Sequence, residues 1–295
     1  MTIAQNKIKA LFIVNPFSGV GRQKGIEKYL AKNLDQSKFE FSLVYTERPH
    51  HATELCEDAI KKSFNLIVAV GGDGTVNEVA RPLVGTNIPM GIIPSGSGNG
   101  LARHLKIPID PNKAIRLLNY FNSKKIDTVE VNDQFFVSIA GVGFDAFVAK
   151  KFAGQKRRGF FKYAQISLSE YFRYRPKKFT LTIDGRKLEK TALFISIANS
   201  DQFGYNTSIS PKAKIDDGMI DICIMKKVPM WKTIFLAPLL FSRKIDRSSY
   251  LEIIRVREVE IMQTNMHINL DGESVKMSKS LHFKVQPKSL TVVVP

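Results

Sequence analysis

Hydrophobic and polar positions follow one rhythm up to about residue 127 and another after it. In the first part, short apolar runs alternate with stretches whose apolar residues recur at helical spacing. Residues 8–15, 39–46, 66–70 and 90–94 read as strands. The run Leu66-Ile67-Val68-Ala69-Val70 has no polar member, as a strand buried on both faces requires. Residues 25–34, 52–62, 76–84 and 110–119 read as helices. Ala52, Leu55, Ala59 and Ile60 fall on one side of the second helix, and Asp110 followed by Pro111 marks the start of the fourth. Strand and helix in alternation predict a mostly parallel sheet with helices on both faces, a three-layer α/β domain.

Beyond residue 127 the runs are short, β-rich and separated by turn signals such as Asp184-Gly185. Strands are expected at 129–131, 135–140, 179–183, 193–200, 220–225, 250–256, 259–262, 266–270, 281–285 and 290–294, with one helical insert at 160–172. This grammar predicts an antiparallel β-sandwich. The expected organisation is an α/β domain over 1–127 followed by an all-β sandwich over 128–295, the terminal strand packing near the first domain.

Composition narrows the class. A chain of 295 residues, 44% hydrophobic and 24% charged, is globular. Its longest apolar stretch, at 234–241, falls far short of the roughly 20 residues of a bilayer span. Lys7 and Lys9 precede only a short apolar run ending at Asn15-Pro16, which reads as a first strand rather than a secretory leader. Two cysteines without ligand spacing, Cys56 and Cys223, fit a reduced, cytoplasmic compartment. The net charge of +17 points to a polyanionic partner: nucleic acid, anionic membrane or nucleotide phosphates.

Three glycine-rich loops carry the candidate chemistry. Each follows a predicted strand of the first domain: Asn15-Pro16-Phe17-Ser18-Gly19-Val20-Gly21, with Arg22 and Lys24 adding charge; Gly71-Gly72-Asp73-Gly74-Thr75; and Ser95-Gly96-Ser97-Gly98-Asn99-Gly100, leading to Arg103 and His104. Loops at the carboxyl ends of parallel strands share one edge of the sheet, where ligands bind, and glycines let the backbone approach a phosphate closely. Asp73 is the unusual member, because a carboxylate repels a phosphate unless Mg²⁺ or a transferable proton lies between them. The loops match neither a Walker A nor a dinucleotide fingerprint.

Two acidic turns lie in the second half. Asp271-Gly272-Glu273 is either a hairpin turn or the source of a general base; at i, i+2 on a strand both carboxylates would share a face. Asp216-Asp217-Gly218, with Asp221 close behind, is either a solvated hairpin or a small Mg²⁺ or Ca²⁺ site.

Together, the GGDGTVNEV segment, the preceding NPxSG loop, SGSGN and the late DGE resemble the diacylglycerol kinase catalytic family, which includes bacterial lipid kinases and the sphingosine and ceramide kinases. The resemblance runs in order along essentially the whole chain. It implies an ATP-dependent lipid kinase using Mg²⁺, with a nucleotide domain, a β-sandwich lipid domain and an ATP site in the cleft between them. It implies nucleotide contacts from Asn15, Ser18, Gly19, Thr46, Gly71, Gly72, Gly74, Thr75, Glu78, Ser97, Gly98 and Asn99. Asp73 matches an acidic residue of the Mg²⁺ network and Asp127 its supporting partner. Glu273 matches the proposed base, with Asp271 as the alternative. Asp217 with the carbonyls of Lys214 and Met219 resembles a structural Mg²⁺ loop, and Asp145 matches an acid that meets the lipid head group. The third loop departs from the Gly-Thr-x-Asn-Asp sequence of many bacterial diacylglycerol kinases towards the sphingosine and ceramide kinase form.

The leading expectation is therefore phosphorylation of a diacylglycerol-type lipid, with a sphingoid base or ceramide as the alternative acceptor. Basic residues interleaved with aromatics at 150–178 and 226–244 suit an anionic bilayer surface; the bland alternative is a solvated basic face, with the apolar residues of the second segment forming a core helix. A nucleic-acid partner would leave the glycine loops and the Asp271-Gly272-Glu273 turn unused, so none is expected. The assembly is expected to be peripheral to the membrane, with a homodimer as a candidate state. The competing readings are a soluble-substrate kinase such as an NAD kinase and a basic adaptor without turnover.

Overall fold

The computed structural model describes residues 7–19, 21, 23–154 and 160–295. Val20, Arg22 and the basic run Lys156, Arg157 and Arg158 lie outside them. The chain divides into two compact units: one runs to Ile126 and takes in Ser289–Pro295, and the other is Asp127–Lys288.

The first unit alternates strand and helix. In order come β1 (Ile8–Val14), α1 (Ile26–Asn33), β2 (Phe39–Tyr45), α2 (His51–Lys61), β3 (Leu66–Gly71), α3 (Asp73–Leu83), β4 (Met90–Pro94), α4 (Gly100–His104) and α5 (Pro111–Leu118). The strands pair in parallel in the order β2-β1-β3-β4. Every residue of β3 and β4 is buried, so their apolar runs need no polar alternation. Asp110 caps α5 by accepting the Lys113 N–H, with Pro111 in the first turn.

β5 (Ser123–Val131) leads into the second unit. There follow β6 (Gln134–Phe136), β7 (Ile139–Gly143), α6 (Phe144–Ala153), α7 (Phe160–Tyr171), β8 (Lys177–Ile183), β9 (Arg186–Ala192), β10 (Phe194–Ala198), β11 (Gln202–Gly204), β12 (Thr207–Ser208), β13 (Ile220–Met225), α8 (Met230–Phe241), β14 (Leu251–Val256), β15 (Glu258–Met262), β16 (His267–Leu270), β17 (Glu273–Lys276) and β18 (Ser280–Val293). One sheet has the order β14-β13-β10-β7-β16-β17, antiparallel throughout. The other joins β9, β8, β15 and the first part of β18. Ala140, Ile197, Ile222 and Ile268 of the first sheet pack against Phe136, Leu181, Ile261 and Phe283 of the second in one buried cluster. This is the two-sheet core of a sandwich.

The expected α/β and all-β architectures are both present, with local differences. The strands expected at 281–285 and 290–294 are one strand, β18, carried past Pro287 by Lys288 at φ 49°. The last residues of β18 belong to the first unit, where Val292 pairs in parallel with Met90 of β4. The glycine-flanked segment Phe144-Asp145 opens a full helix, α6. The apolar residues at 230–241 form a helix, but none of them is buried, so α8 is not a core helix. Among the described residues no helix is long and apolar enough to cross a membrane.

Candidate active site

In the first unit, β1, β3 and β4 are adjacent and parallel, so the loops that follow them emerge at one edge. These loops are in backbone contact with one another. A Cβ on Gly19, at φ 53°, would lie 2.1 Å from the Ser95 carbonyl oxygen, and a Cβ on Gly96 would lie 2.5 Å from the Gly72 Cα. These glycines thus serve first to let three loops interlock. Ser95 N–H donates to the Gly71 carbonyl (2.7 Å), and Asn15 Nδ2 donates to Thr75 Oγ1 (3.1 Å), joining the first loop to α3.

Asp73 sits at the centre of this constellation. Its Oδ2 accepts the Asn99 N–H (2.8 Å) and its Oδ1 the Gly100 N–H (2.6 Å), so it caps α4 and ties the second loop to the third. Gly98 leaves room for it, since a Cβ there would stand 2.7 Å from Asp73 Oδ2. Arg103, which the sequence argument left without a role, donates Nε–H to the Gly98 carbonyl (2.9 Å) and so places a cation beside this loop.

Several predicted nucleotide contacts have other occupations. Asn99 is buried, and its carboxamide closes on Gly96, accepting that N–H at 3.0 Å and donating to its carbonyl at 2.8 Å. Glu78 accepts the N–H groups of His50 (3.0 Å) and Ala52 (3.1 Å), capping α2 rather than facing the loops. The Ser18 hydroxyl donates to the Asn15 carbonyl (3.1 Å), within its own loop. Thr46 is buried just after β2, its N–H donating to the Val14 carbonyl (2.9 Å). Ser97 lies half-buried in the third loop, and Gly74 in the first turn of α3.

In the second unit, the late acidic turn separates its two carboxylates. Asp271 (φ 46°) and Gly272 (φ 92°) are the two positive-φ residues of a tight hairpin between β16 and β17, with Leu270 opposite Glu273. Asp271 is buried and accepts three backbone N–H groups, from Val137 (2.8 Å), Ser138 (2.9 Å) and Ile139 (2.9 Å). Glu273 begins β17 and is exposed. The expectation of a shared face fails because Asp271 is in a left-handed turn, outside the period-two alternation of a strand. A carboxylate that three amides hold is an anchor, whereas Glu273 stands exposed at the start of β17.

Asp145 lies in the first turn of α6, folded over Gly141, where a Cβ would meet its Oδ2 at 1.8 Å. Asn269 Nδ2 donates to Asp145 Oδ2 (2.8 Å) and the Tyr163 hydroxyl to Oδ1 (3.3 Å). Burial pushes the Asp145 carboxyl up from the ordinary carboxylate range and the Tyr163 phenol well above its own. Asn269 and Tyr163 were not foreseen, although a lone Asn inside the β16 run His267-Ile268-Asn269-Leu270 is a signal of a buried polar role.

Asp127 is fully buried, its Oδ2 accepting the Gly218 N–H (2.6 Å) and its Oδ1 the Lys288 N–H (2.7 Å), so it fixes the Asp216-Asp217-Gly218 turn rather than supporting another carboxylate. Asp217 Oδ1 accepts the Met219 N–H (3.1 Å), and its Oδ2 lies 3.5 Å from Arg255 Nη1. The adjoining cleft of about 540 Å³ mixes Asp216 and Asp217 with Arg257, Lys284 and Lys288. Among the described residues no three His, Cys, Asp or Glu side chains are grouped to hold a metal ion. The expected set of Asp217 with the Lys214 and Met219 carbonyls contains a single side-chain ligand, and Arg255 lies beside that carboxylate. Cys56 is likewise inert, its thiol pushed up to about 12 by burial.

Residues 9–131 match the diacylglycerol kinase catalytic domain, and residues 138–294 match the YegS C-terminal NAD kinase beta sandwich-like domain. A diacylglycerol kinase of Bacillus subtilis is 29% identical over 274 residues, 90% of this chain and 89% of that protein. A probable YegS-like lipid kinase of Pseudomonas aeruginosa is 28% identical over 297 residues, 98% and 95% of the two chains. The crystal structure of a diacylglycerol kinase from Bacillus anthracis shares the fold, with a TM-score of 0.78 at 24% identity, covering 99% of this chain and 98% of that one. With an α/β unit built on three interlocked glycine loops and a sandwich bearing the Asp271-Gly272-Glu273 hairpin, the chain belongs to the diacylglycerol kinase and YegS-like lipid kinase family.

Proposed function

We propose that this protein transfers the γ-phosphoryl group of ATP to a hydroxyl of diacylglycerol at an anionic membrane surface. The observation that carries the reading is the Asp73-centred lock of three glycine loops at one edge of the parallel sheet. A loop cluster held rigid by its own backbone presents N–H groups to phosphates without reorganising when the nucleotide arrives. Arg103, beside the third loop, adds a fixed charge for the same phosphates.

Phosphoryl transfer needs positioning and charge neutralisation more than covalent chemistry from the protein. When bound, Mg²⁺ supplies charge neutralisation at the phosphates. An ion that arrives with the nucleotide would be held by one or two carboxylates plus the substrate phosphates; Asp73, whose oxygens also accept the Asn99 and Gly100 N–H groups, is the carboxylate among the loops. Glu273 accepts the hydroxyl proton as the acceptor oxygen bonds to the γ-phosphorus; the bond to the bridging oxygen breaks and ADP leaves. Asp271 holds the hairpin that presents Glu273. Asp145, with Asn269 and Tyr163, offers a polar recess for the lipid head group.

The names of the similar proteins, diacylglycerol kinase and YegS-like lipid kinase, support a lipid acceptor of the diacylglycerol class. The test is radiolabelled ATP·Mg²⁺ with diacylglycerol, monoacylglycerol, phosphatidylglycerol, ceramide and sphingosine, resolved by thin-layer chromatography. Labelled phosphatidic acid is the expected product. Label in the sphingoid lane alone, or consumption of NAD with no labelled lipid, would overturn the proposal.

A further inference from the structure

A surface helix ordinarily turns an apolar stripe to the core and a polar face to water. Helix α8 does not. Leu236, Leu239 and Leu240 pack inward, against the cluster of Ile139, Ile209, Cys223 and Ile245. The outward side consists of Met230, Trp231, Ile234, Phe235, Ala237, Pro238 and Phe241, all exposed and without a single charge. Trp231, Ile234 and Phe235 are 68%, 71% and 69% exposed, each an apolar side chain that water hydrates at a cost. Twelve residues make a helix about 18 Å long, too short for a hydrocarbon core about 30 Å thick. An occupant must therefore cover this face along its length.

The charge around the helix identifies that occupant. Between residues 226 and 250 there are six basic residues and one acid, Asp246, which pairs with Lys212 at 3.0 Å. Lys232 Nζ lies 4.9 Å from the centre of the Trp231 ring and donates to the Tyr250 hydroxyl at 3.1 Å, holding a cation at the root of the apolar face. A second copy of this chain would bring like charges together, +17 against +17. An anionic lipid surface meets both demands, apolar depth and negative charge.

We propose that α8 lies in the plane of an anionic bilayer, with Trp231, Ile234, Phe235 and Phe241 below the headgroups and Lys226, Lys232, Lys244 and Arg247 among them. The inference deepens the membrane-surface reading above and rests on it. It names the segment that inserts, and it separates insertion from catalysis.

Trp231 is the sole tryptophan of the chain and so reports on its own environment. The full-length protein is mixed with vesicles of phosphatidylcholine, or of phosphatidylcholine with phosphatidylglycerol, and Trp emission is followed. The expected result is a blue shift with the phosphatidylglycerol vesicles, quenching by brominated acyl chains, and reversal by salt. Ile234→Asp and Phe235→Asp are each expected to weaken vesicle partitioning about tenfold, the loss of one buried large side chain. Both variants keep wild-type activity on diacylglycerol in detergent micelles. An unshifted Trp231 on phosphatidylglycerol vesicles overturns the inference, as does a blue shift that appears without lipid and tracks a dimer in sedimentation equilibrium. Trp231 insertion with no phosphorylation of any lipid would instead count against the kinase reading and leave the insertion standing.

Discussion

Replacing Asp271 and Glu273 one at a time separates an anchor from a base. In wild type, Asp271 accepts N–H bonds from Val137, Ser138 and Ile139 at 2.8–2.9 Å, all buried. In Asp271→Asn the carbonyl oxygen can keep the Ser138 and Ile139 bonds, now to a neutral acceptor. The amide nitrogen then faces the Val137 N–H, donor against donor. Bonds to charged acceptors contribute about 1.5–3 kcal/mol and neutral ones about 0.5–1.5 kcal/mol, so losing one and weakening two costs about 3–5 kcal/mol. The backbone adds little, because Asn tolerates the φ of 46° as well as Asp does. At about 2–4 °C per kcal/mol for a domain of this size, Tm falls by roughly 10 °C. In Glu273→Gln an exposed side chain changes without change of shape, so Tm holds within the range of surface substitutions, about 0.5 kcal/mol. Turnover falls by about 10²–10⁴, the contribution of a general base. Scanning fluorimetry and labelled-phosphate transfer to diacylglycerol give both numbers on each variant. A stable, inactive Asp271→Asn enzyme together with an active Glu273→Gln enzyme would reverse the assignment.

Other substitutions probe the remaining parts. Asp73→Asn is expected to abolish turnover and also to release α4, read as faster amide exchange at Asn99 and Gly100; unchanged exchange would show that its bonds to them do not hold the loop. Gly19→Ala forces a Cβ to within 2.1 Å of the Ser95 carbonyl at a positive φ, and should cost about 1–3 kcal/mol with loss of ATP affinity in calorimetry. Glu78→Gln should lower Tm by loosening the start of α2 while leaving the KM for ATP unchanged; a raised KM would return Glu78 to the nucleotide site. For Asp145 the raised carboxyl means the folded state favours the protonated form. Its contribution to stability is full below the ordinary carboxylate value and is lost as pH rises through the folded value, so Asp145→Asn should gain Tm over wild type increasingly from about pH 4 upward; a constant difference would refute the shift.

The sequence by itself determined the two architectures and the sheet edge at which three glycine loops meet. The unbroken apolar run of β3 can only be a strand buried on both faces, and glycines directly after β1, β3 and β4 place three loops at one end of a parallel sheet. These are local consequences of periodicity and of where glycine follows a strand. What each polar side chain does was decided by tertiary structure, because a carboxylate or amide takes whichever donors the fold brings to it. Asp271 and Glu273 are two residues apart, yet a left-handed turn buries one against Val137, Ser138 and Ile139 and leaves the other exposed. Glu78, Asn99 and Asp127 sit in or beside the motifs but are taken up by backbone groups of α2, Gly96 and Gly218. Helix α8 shows the same division. Its sequence suited either a bilayer surface or a core helix; its three leucines pack on a buried cluster, and the packing of the sandwich leaves Trp231, Ile234 and Phe235 facing outward.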